Sequence, residues 1–295
     1  MKISVCIPVY NFDVRELVYD LKKEIESHSI GAEIILIDDG SDDSFKQINN
    51  ELSHQVNQFV LLEKNIGRSK IRNLFLKHAK GDYLLFLDCD VKIDDTDFLK
   101  KYLQEIKQDR EVEVIYGNFK IDHSYSKNLR NRYSVEREIF SGDRTLDFSV
   151  FKTVNFIIQR ETFRKFSFDE TLAHYGYEDY VFAKKMELAH VKFSAINNPV
   201  IHIDDTSNET FLVKTETAIS SLFQLSQDVE NEKYIKDIKV FRVARNIRNA
   251  GFGKTLIFLY EKLLKKMILK NLLSENPKIK YLDIYKLALL LKKMK

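Results

Sequence analysis

The chain has 295 residues, of which 44% are hydrophobic, 12% aromatic and 31% charged, with 9 Gly and 3 Pro. At about 150 residues per domain that is one large domain or two ordinary ones, and the composition excludes collagen-like, low-complexity and wholly disordered chains. The net charge of +3 conceals two opposed parts, because residues 239–295 hold fifteen Lys and Arg against three Asp and Glu, leaving the rest net acidic.

Cys6 and Cys89 lie far apart in apolar runs, which excludes a disulfide framework and a zinc-finger spacing and fits free thiols in a reducing compartment. The first residues run straight into a strand pattern without the features of a signal peptide. No stretch approaches the roughly 20 apolar residues of a membrane span. The expectation is a cytoplasmic protein that does not cross a bilayer.

In chain order, strand and helix patterns alternate through the first half, which predicts an α/β fold with a mostly parallel sheet flanked by helices. Ile3 to Tyr10 is the first strand, and Val14, Leu17, Val18, Leu21 and Ile25 give residues 14–27 an amphipathic helical face. Glu33 to Ile37 returns as a strand and ends in the turn Asp38-Asp39-Gly40-Ser41, before a short helix over 44–53 and a strand over 60–63. Residues 67–80 repeat the helical period, with Gly81 at the cap position. Tyr83 to Leu87 is the unbroken apolar run of a central strand and ends in Asp88-Cys89-Asp90.

A helix over 96–108 and a single strand over 112–121 follow. The polar stretch 122–147 shows no clear period and reads as a substrate loop. Residues 150–159 are strand-like, a helix spans 178–189, and 191–203 hold one or two strands. Residues 209–295 read as wholly helical. The expected division is a catalytic domain over 1–208 and a helical, basic extension over 209–295 that packs on it, since no Gly-, Pro- or Ser-rich linker intervenes.

Side chains two apart in an extended chain point the same way, so Asp88 and Asp90 present two carboxylates at a strand's carboxyl end, where open α/β sheets bind ligands. Such a pair suits Mg²⁺ or Mn²⁺ shared with phosphate oxygens; it is equally a solvated turn. Asp38 and Asp39 can accept from a nucleotide base or ribose, or cap the following helix. Arg68 and Arg72, one helical turn apart, can hold a diphosphate or stand as solvated helix charges. Glu178-Asp179 opens a helix whose dipole favours ionised carboxylates, as a general base requires, and ordinary capping explains the pair as well. His202 is either a nitrogen ligand beside the two aspartates or a satisfied core histidine. Gly-x-Gly-x-x-Gly, the full phosphate-binding loop Gly-x-x-x-x-Gly-Lys-Ser/Thr (Gly253-Lys254-Thr255 has Arg248 where that loop needs its first glycine) and Gly-x-Ser-x-Gly are all missing, which sets aside dehydrogenase, P-loop and serine-hydrolase readings.

Ser4-Val5-Cys6-Ile7-Pro8-Val9-Tyr10-Asn11, Ile37-Asp38-Asp39-Gly40-Ser41, Asn65-Ile66-Gly67 with Arg72-Asn73, and Leu87-Asp88-Cys89-Asp90 together closely resemble the family 2 glycosyltransferases of GT-A fold. The likeness continues in order through Asn155-Phe156-Ile157-Ile158, Phe168-Asp169-Glu170, Tyr175-Gly176-Tyr177-Glu178-Asp179 and His202, over about residues 1–205. It implies that Pro8, Tyr10 and Asp39 border the nucleotide base and that Arg72 lies near the donor, with Asn11 and Asn155 also counted at the donor site. Asp88 and Asp90 would belong to a metal-binding Asp-x-Asp motif, and Asp179 would be the catalytic base beside Glu178. The position of His202 binds metal in some relatives and not in others. The implied activity is inverting transfer of a sugar from a UDP-sugar, with Mn²⁺ or Mg²⁺, to a hydroxyl of a glycan or lipid-linked glycan in bacterial polysaccharide or glycoconjugate synthesis.

Three rival readings exist. An Asp-x-Asp-x-Val phosphatase would carry its motif on the first strand, whereas two strand-turn units precede it here. A nucleotidyltransferase would show a Gly-rich loop after that strand. A sugar-nucleotide-binding scaffold would not need Asp88, Asp90 and Asp179 together. Outside the likeness, residues 254–273 set Leu256, Leu259, Tyr260, Leu263, Leu264, Met267 and Ile268 against Lys262, Lys265, Lys266 and Lys270. This basic amphipathic helix either lies on an anionic membrane surface, making the protein peripheral on the cytoplasmic face, or packs its apolar side inward. No nucleic-acid motif accompanies the charge.

Overall fold

The computed structural model describes residues 2–142, 144–172 and 176–295. It divides into two compact units: Met1–Asp122, Glu138–Ala173 and Phe182–Ile203 form the first, and His123–Arg137, His174–Val181 and Asp204–Lys295 the second.

The first unit is an α/β layer structure. Its strands are β1 (Ile3–Val9), β2 (Ala32–Asp38), β3 (Gln58–Leu61), β4 (Tyr83–Leu87), β5 (Val91–Lys92), β6 (Val114–Tyr116), β7 (Phe119–Ile121), β8 (Arg144–Thr145), β9 (Asn155–Gln159), β10 (Phe193–Ile196) and β11 (Val200–His202). Among the described residues they make one sheet in the order β3-β2-β1-β4-β9-β6-β10-β8 and a small one in the order β5-β11-β7. The β3-β2-β1-β4 half is parallel, and β9 runs antiparallel between β4 and β6.

β1 shows why an all-buried run makes a central strand. Every residue from Ile3 to Val9 is buried except Pro8, which is half-buried. Pro8 has no N–H to give to a ladder, and the β1–β4 pairing stops at Cys6 opposite Phe86, so the proline falls beyond the doubly bonded part of the strand. On the flank of the sheet Phe86 stacks on Phe156 at 5.0 Å and touches Phe163 and Phe75 at 5.0 and 5.8 Å.

At the opposite, amino-terminal end of these strands, Glu33 accepts from Ser4 Oγ at 2.6 Å, the Lys80 amide at 2.7 Å and Lys2 Nζ at 3.0 Å. Burial works against ionisation of Glu33, but these donors outweigh it and hold its carboxyl below the ordinary range.

Two expectations change. The strand foreseen over 112–121 is two strands in different sheets. Gly117 and Asn118 break it: a Cβ at Gly117 would lie 2.0 Å from the Tyr102 hydroxyl, and Asn118 sits at φ 68°, a left-handed conformation Asn tolerates. The polar stretch 122–147 is not an irregular loop, since it holds the helix Leu129–Arg137 and strand β8. That helix buries only Leu129, Asn131 and Ser134, too little apolar surface to print a helical period on the sequence.

The second unit is helical. Helices Asn208–Leu225, Lys239–Asn249, Gly253–Leu259, Lys265–Leu272 and Ile279–Lys293 join Leu129–Arg137. Leu129, Phe211, Tyr260, Ile268, Leu282 and Tyr285 belong to its core. Among the described residues no helix is long and apolar enough to cross a membrane.

Two stability predictions follow from these contacts. Phe86→Ala should cost about 3–5 kcal/mol in denaturant melts, and a cost below about 1 kcal/mol would show the aromatic cluster to be loosely packed. The depressed Glu33 carboxyl adds stability that is complete above the unfolded value of about 4.3 and is lost as pH falls through the lower folded value. The melting-temperature gap between wild type and Glu33→Gln should therefore be large at neutral pH and narrow in acid; a gap independent of pH would contradict this.

Candidate active site

In the first unit the carboxyl ends of β1, β2 and β4 lie side by side, and the chain leaves each through an acidic or polar turn. Val9 pairs with Asp38 in the β1–β2 register, and the Asp39 amide donates to the Val9 carbonyl at 2.8 Å. Gly40 stands at φ 73°, where a Cβ would meet the Lys64 carbonyl carbon at 2.6 Å, so the turn against residues 64–65 requires glycine.

The residues at this edge have distinct surroundings. Tyr10 is half exposed, as a platform for a planar ring would be. Asn11, at φ 49°, gives its amide to Ser41 Oγ, and its side chain exchanges bonds with Asp42 at 2.8 and 3.2 Å. Asp38 is fully buried and accepts the Ser41 amide at 2.7 Å through Oδ1. Asp39 accepts the Ile66 and Gly67 amides at 2.7 and 3.2 Å. Burial raises its carboxyl above the ordinary range despite those bonds, and Asp38 adds to the rise.

Arg72, on the helix Arg68–Leu74, is buried. Its Nη2 donates to Asp88 Oδ1 at 2.6 Å and its Nη1 to the Arg68 carbonyl at 3.3 Å, while the guanidinium lies 5.7 Å from the centre of the Phe168 ring. Two residues beyond Asp88, Asp90 Oδ2 faces His202 Nε2 at 3.4 Å. The small sheet makes that meeting, because β5 begins at Val91 and pairs it with His202 of β11. Burial disfavours the charged form of Asp90, but the His202 imidazole and the Arg68 guanidinium overcome it and hold the carboxyl below its ordinary range. Cys89 is half-buried against the core, and burial pushes its thiol up.

The structure therefore brings Asp88 to Arg72 and Asp90 to His202. Among the described residues, no group of three or more His, Cys, Asp and Glu gathers as a metal cluster. The Asp90–His202 pair, an ionised oxygen donor beside a nitrogen donor, still fits a divalent cation that takes its remaining ligands from substrate phosphates.

Asn155 has different surroundings. It is fully buried, accepts the Tyr102 hydroxyl at 2.6 Å and gives its two N–H groups to the Asn118 and Asn198 carbonyls at 2.9 Å each, so its amide braces the strand ends beneath the site. A feature not foreseen is Asn73, whose side chain pairs with both backbone groups of Phe168 at 2.9 Å and reaches Glu170 at 3.0 Å. The family-like motifs Arg72-Asn73 and Phe168-Asp169-Glu170 thus meet in space, which no local pattern announces.

Glu178 and Asp179 belong to the second unit, as the first residues of the helix Glu178–Leu188. Tyr175 of the same motif lies outside the described residues. Glu178 is buried and accepts the Gly176 amide at 2.9 Å; Asp179 is half-buried and accepts the Tyr180 amide at 2.7 Å. Burial and the Asp179 charge push the Tyr177 phenol up. Tyr177 also lines a cavity of about 520 Å³ with Tyr133, Arg137, Lys239, Ile284 and Lys286. Gly176 sits at φ 106°, where a Cβ would come 2.5 Å from that of Ala218 on the helix Asn208–Leu225.

Such a sheet, with acidic turns at the carboxyl ends of its parallel strands, is the GT-A architecture. Residues 4–172 match the model of glycosyl transferase family 2, and the chain belongs to that family. It is 31% identical over 126 residues to a poly(ribitol-phosphate) beta-glucosyltransferase of Bacillus spizizenii, covering 41% of this chain and 19% of that protein. It is 29% identical over 133 residues to glycosyltransferase GlyG of Streptococcus pneumoniae, covering 44% and 42%. Over 96 residues it is 35% identical to an undecaprenyl-phosphate 4-deoxy-4-formamido-L-arabinose transferase of Salmonella choleraesuis, covering 31% and 29%. The matches span less than half the length of these relatives. Among solved structures, S. aureus TarS 1-349 in complex with UDP superposes with a TM-score of 0.55 at 20% identity, covering 100% of this chain and 91% of that one. The mannosyltransferase PcManGT from Pyrobaculum calidifontis, in complex with GDP-Man and Mn²⁺, gives 0.59 at 15% identity, covering 99% and 86%.

Gly176 and Gly142 both have positive φ, but only Gly176 has a neighbour within reach of a Cβ. Gly176→Ala should cost about 2–4 kcal/mol and Gly142→Ala about 1 kcal/mol in thermal melts. Equal costs would remove the packing of Ala218 from the account of how the Glu178-Asp179 helix start is held.

Proposed function

We propose that the chain is an inverting glycosyltransferase that moves a sugar from a UDP-sugar to a hydroxyl of a glycan or lipid-linked glycan, in the assembly of a bacterial polysaccharide or glycoconjugate. Residues 1–208 carry the catalysis, and 209–295 are a helical, basic extension. The observation that carries this reading is the carboxyl edge of β1, β2 and β4, where a buried arginine and four aspartates are held in fixed partnerships. Poly(ribitol-phosphate) and undecaprenyl-phosphate in the relatives' names and the UDP bound to TarS 1-349 support the choice of acceptor and donor.

In this reading Tyr10 and Pro8 border the uracil, with the Asn11 and Asp38-Asp39 turn shaping that pocket and Asn155 bracing it from below. Arg68 and Arg72 face the diphosphate, and the Arg72–Asp88 bond keeps the guanidinium fork aimed before the donor arrives. Asp90 and His202 would hold Mn²⁺ or Mg²⁺. Such an ion, when bound, offsets charge building on the departing diphosphate.

Asp179 takes the proton of the acceptor hydroxyl as it attacks the anomeric carbon. Its place in the first turn of a helix favours the ionised form that a base needs. Glu178, bonded to the Gly176 amide, fixes that turn. The protein works at the cytoplasmic face of the membrane, its C-terminal helices against an anionic lipid surface.

Two substitutions separate binding from chemistry. Asp179→Asn should lower kcat at least about 100-fold with UDP affinity unchanged in calorimetry. Arg72→Lys keeps the charge but loses the fork, and should weaken UDP roughly tenfold. Unaltered turnover in Asp179→Asn would sink the assigned base, and UDP binding without transfer or donor hydrolysis in wild type would favour a sugar-nucleotide-binding protein.

A further inference from the structure

The helical stretch from Gly253 to Leu272 has two apolar faces where a packed surface helix needs one. Ile257, Tyr260, Ile268 and Leu272 are buried. Phe252, Leu256, Leu259, Leu263 and Met267 recur every three or four residues and form a second stripe that is exposed, with Leu263 at 69%, Phe252 at 61% and Met267 at 48%. A π turn at Tyr260–Leu264 lies in the middle. It inserts a residue into the helix, so that Ile268 and Leu272 continue the buried side begun by Ile257 and Tyr260 while Leu263 and Met267 continue the outer stripe.

Charge lies alongside. Lys254, Lys262, Lys266 and Lys270 are exposed on the flank of this stripe, around Phe258, itself 61% exposed. Glu261, the one acid in the stretch, is bonded to Lys265 and Lys292, so its charge is already matched by lysines outside that row. A contiguous exposed apolar stripe marks an interface, and here a row of four exposed lysines runs along its flank.

We infer that this outer face docks on an anionic lipid bilayer, the helix lying in the interface plane with the stripe at the acyl boundary and the lysines on headgroup phosphates. A second copy of the chain is the poorer occupant, because a two-fold contact through the stripe sets lysine rows near one another without acids to match them. The inference rests on the peripheral-membrane reading and is independent of the transfer chemistry.

The test is flotation of the full chain with phosphatidylcholine vesicles, with and without phosphatidylglycerol, alongside hydrolysis of a panel of UDP-sugars. Wild type should float only with phosphatidylglycerol present and be released by high salt. Leu263→Asp should abolish flotation and Lys262→Glu/Lys266→Glu should weaken it at least about tenfold, both with unchanged circular dichroism and hydrolysis. Failure of wild type to float, flotation undiminished in Leu263→Asp, or a stable dimer in light scattering that Leu263→Asp splits without any vesicle binding would each overturn the inference. Salt-sensitive flotation of wild type that Leu263→Asp abolishes, with no UDP-sugar hydrolysis in either, would uphold the surface and count against the transferase reading.

Discussion

A guanidinium cannot shed its charge, so one buried as deeply as that of Arg72 must bring an anion with it. Asp88 is that anion, 2.6 Å away, and the bond fixes the helix Arg68–Leu74 against the end of β4. The Phe168 ring on one side and the Arg68 carbonyl on another complete the cage. Removing Asp88 leaves the buried guanidinium without its anion, a loss of several kcal/mol, whereas Asp88, a quarter exposed, can turn to water if Arg72 is removed. The edge of the sheet is therefore held firmly where, in the proposed function, a diphosphate would need its counter-charges already in place.

The four aspartates at that edge are chemically alike and structurally separate. Asp39 binds two backbone amides, Asp38 a third, Asp88 a buried arginine and Asp90 an imidazole. That allocation lets one rim carry so much acid without mutual repulsion opening the turns, because each carboxylate meets its own donor before it meets another carboxylate. It also divides labour: Asp39 and Asp38 hold loops in place, while Asp90 and His202 are the pair with donor chemistry suited to a cation.

Much of this was legible in the residues. Buried strands β1, β2 and β4 print as largely apolar runs, and acid pairs mark the ends of β2 and β4, so the sheet's carboxyl edge could be drawn from the sequence. The partner of each acid could not, because Asp39 meets Ile66 and Gly67 through loop geometry and His202 meets Asp90 only through the β5–β11 register. Asn155 carries no local sign of being buried, and its bracing bonds run to the distant Tyr102 hydroxyl and to two backbone carbonyls, which sequence patterns do not mark. The helix Leu129–Arg137 escaped because it buries few residues. In the C-terminal stretch the apolar period was visible, but a single period cannot say that there are two faces, one inside and one out.

The central claim is that a nucleotide diphosphate binds across the ends of β1, β2 and β4. Hydrogen–deuterium exchange of the full chain with and without UDP and Mn²⁺ tests it most directly. UDP should slow exchange in residues 9–12, 38–41, 64–72 and 87–91 together. Protection confined to other segments, or none at saturating UDP, would contradict the account.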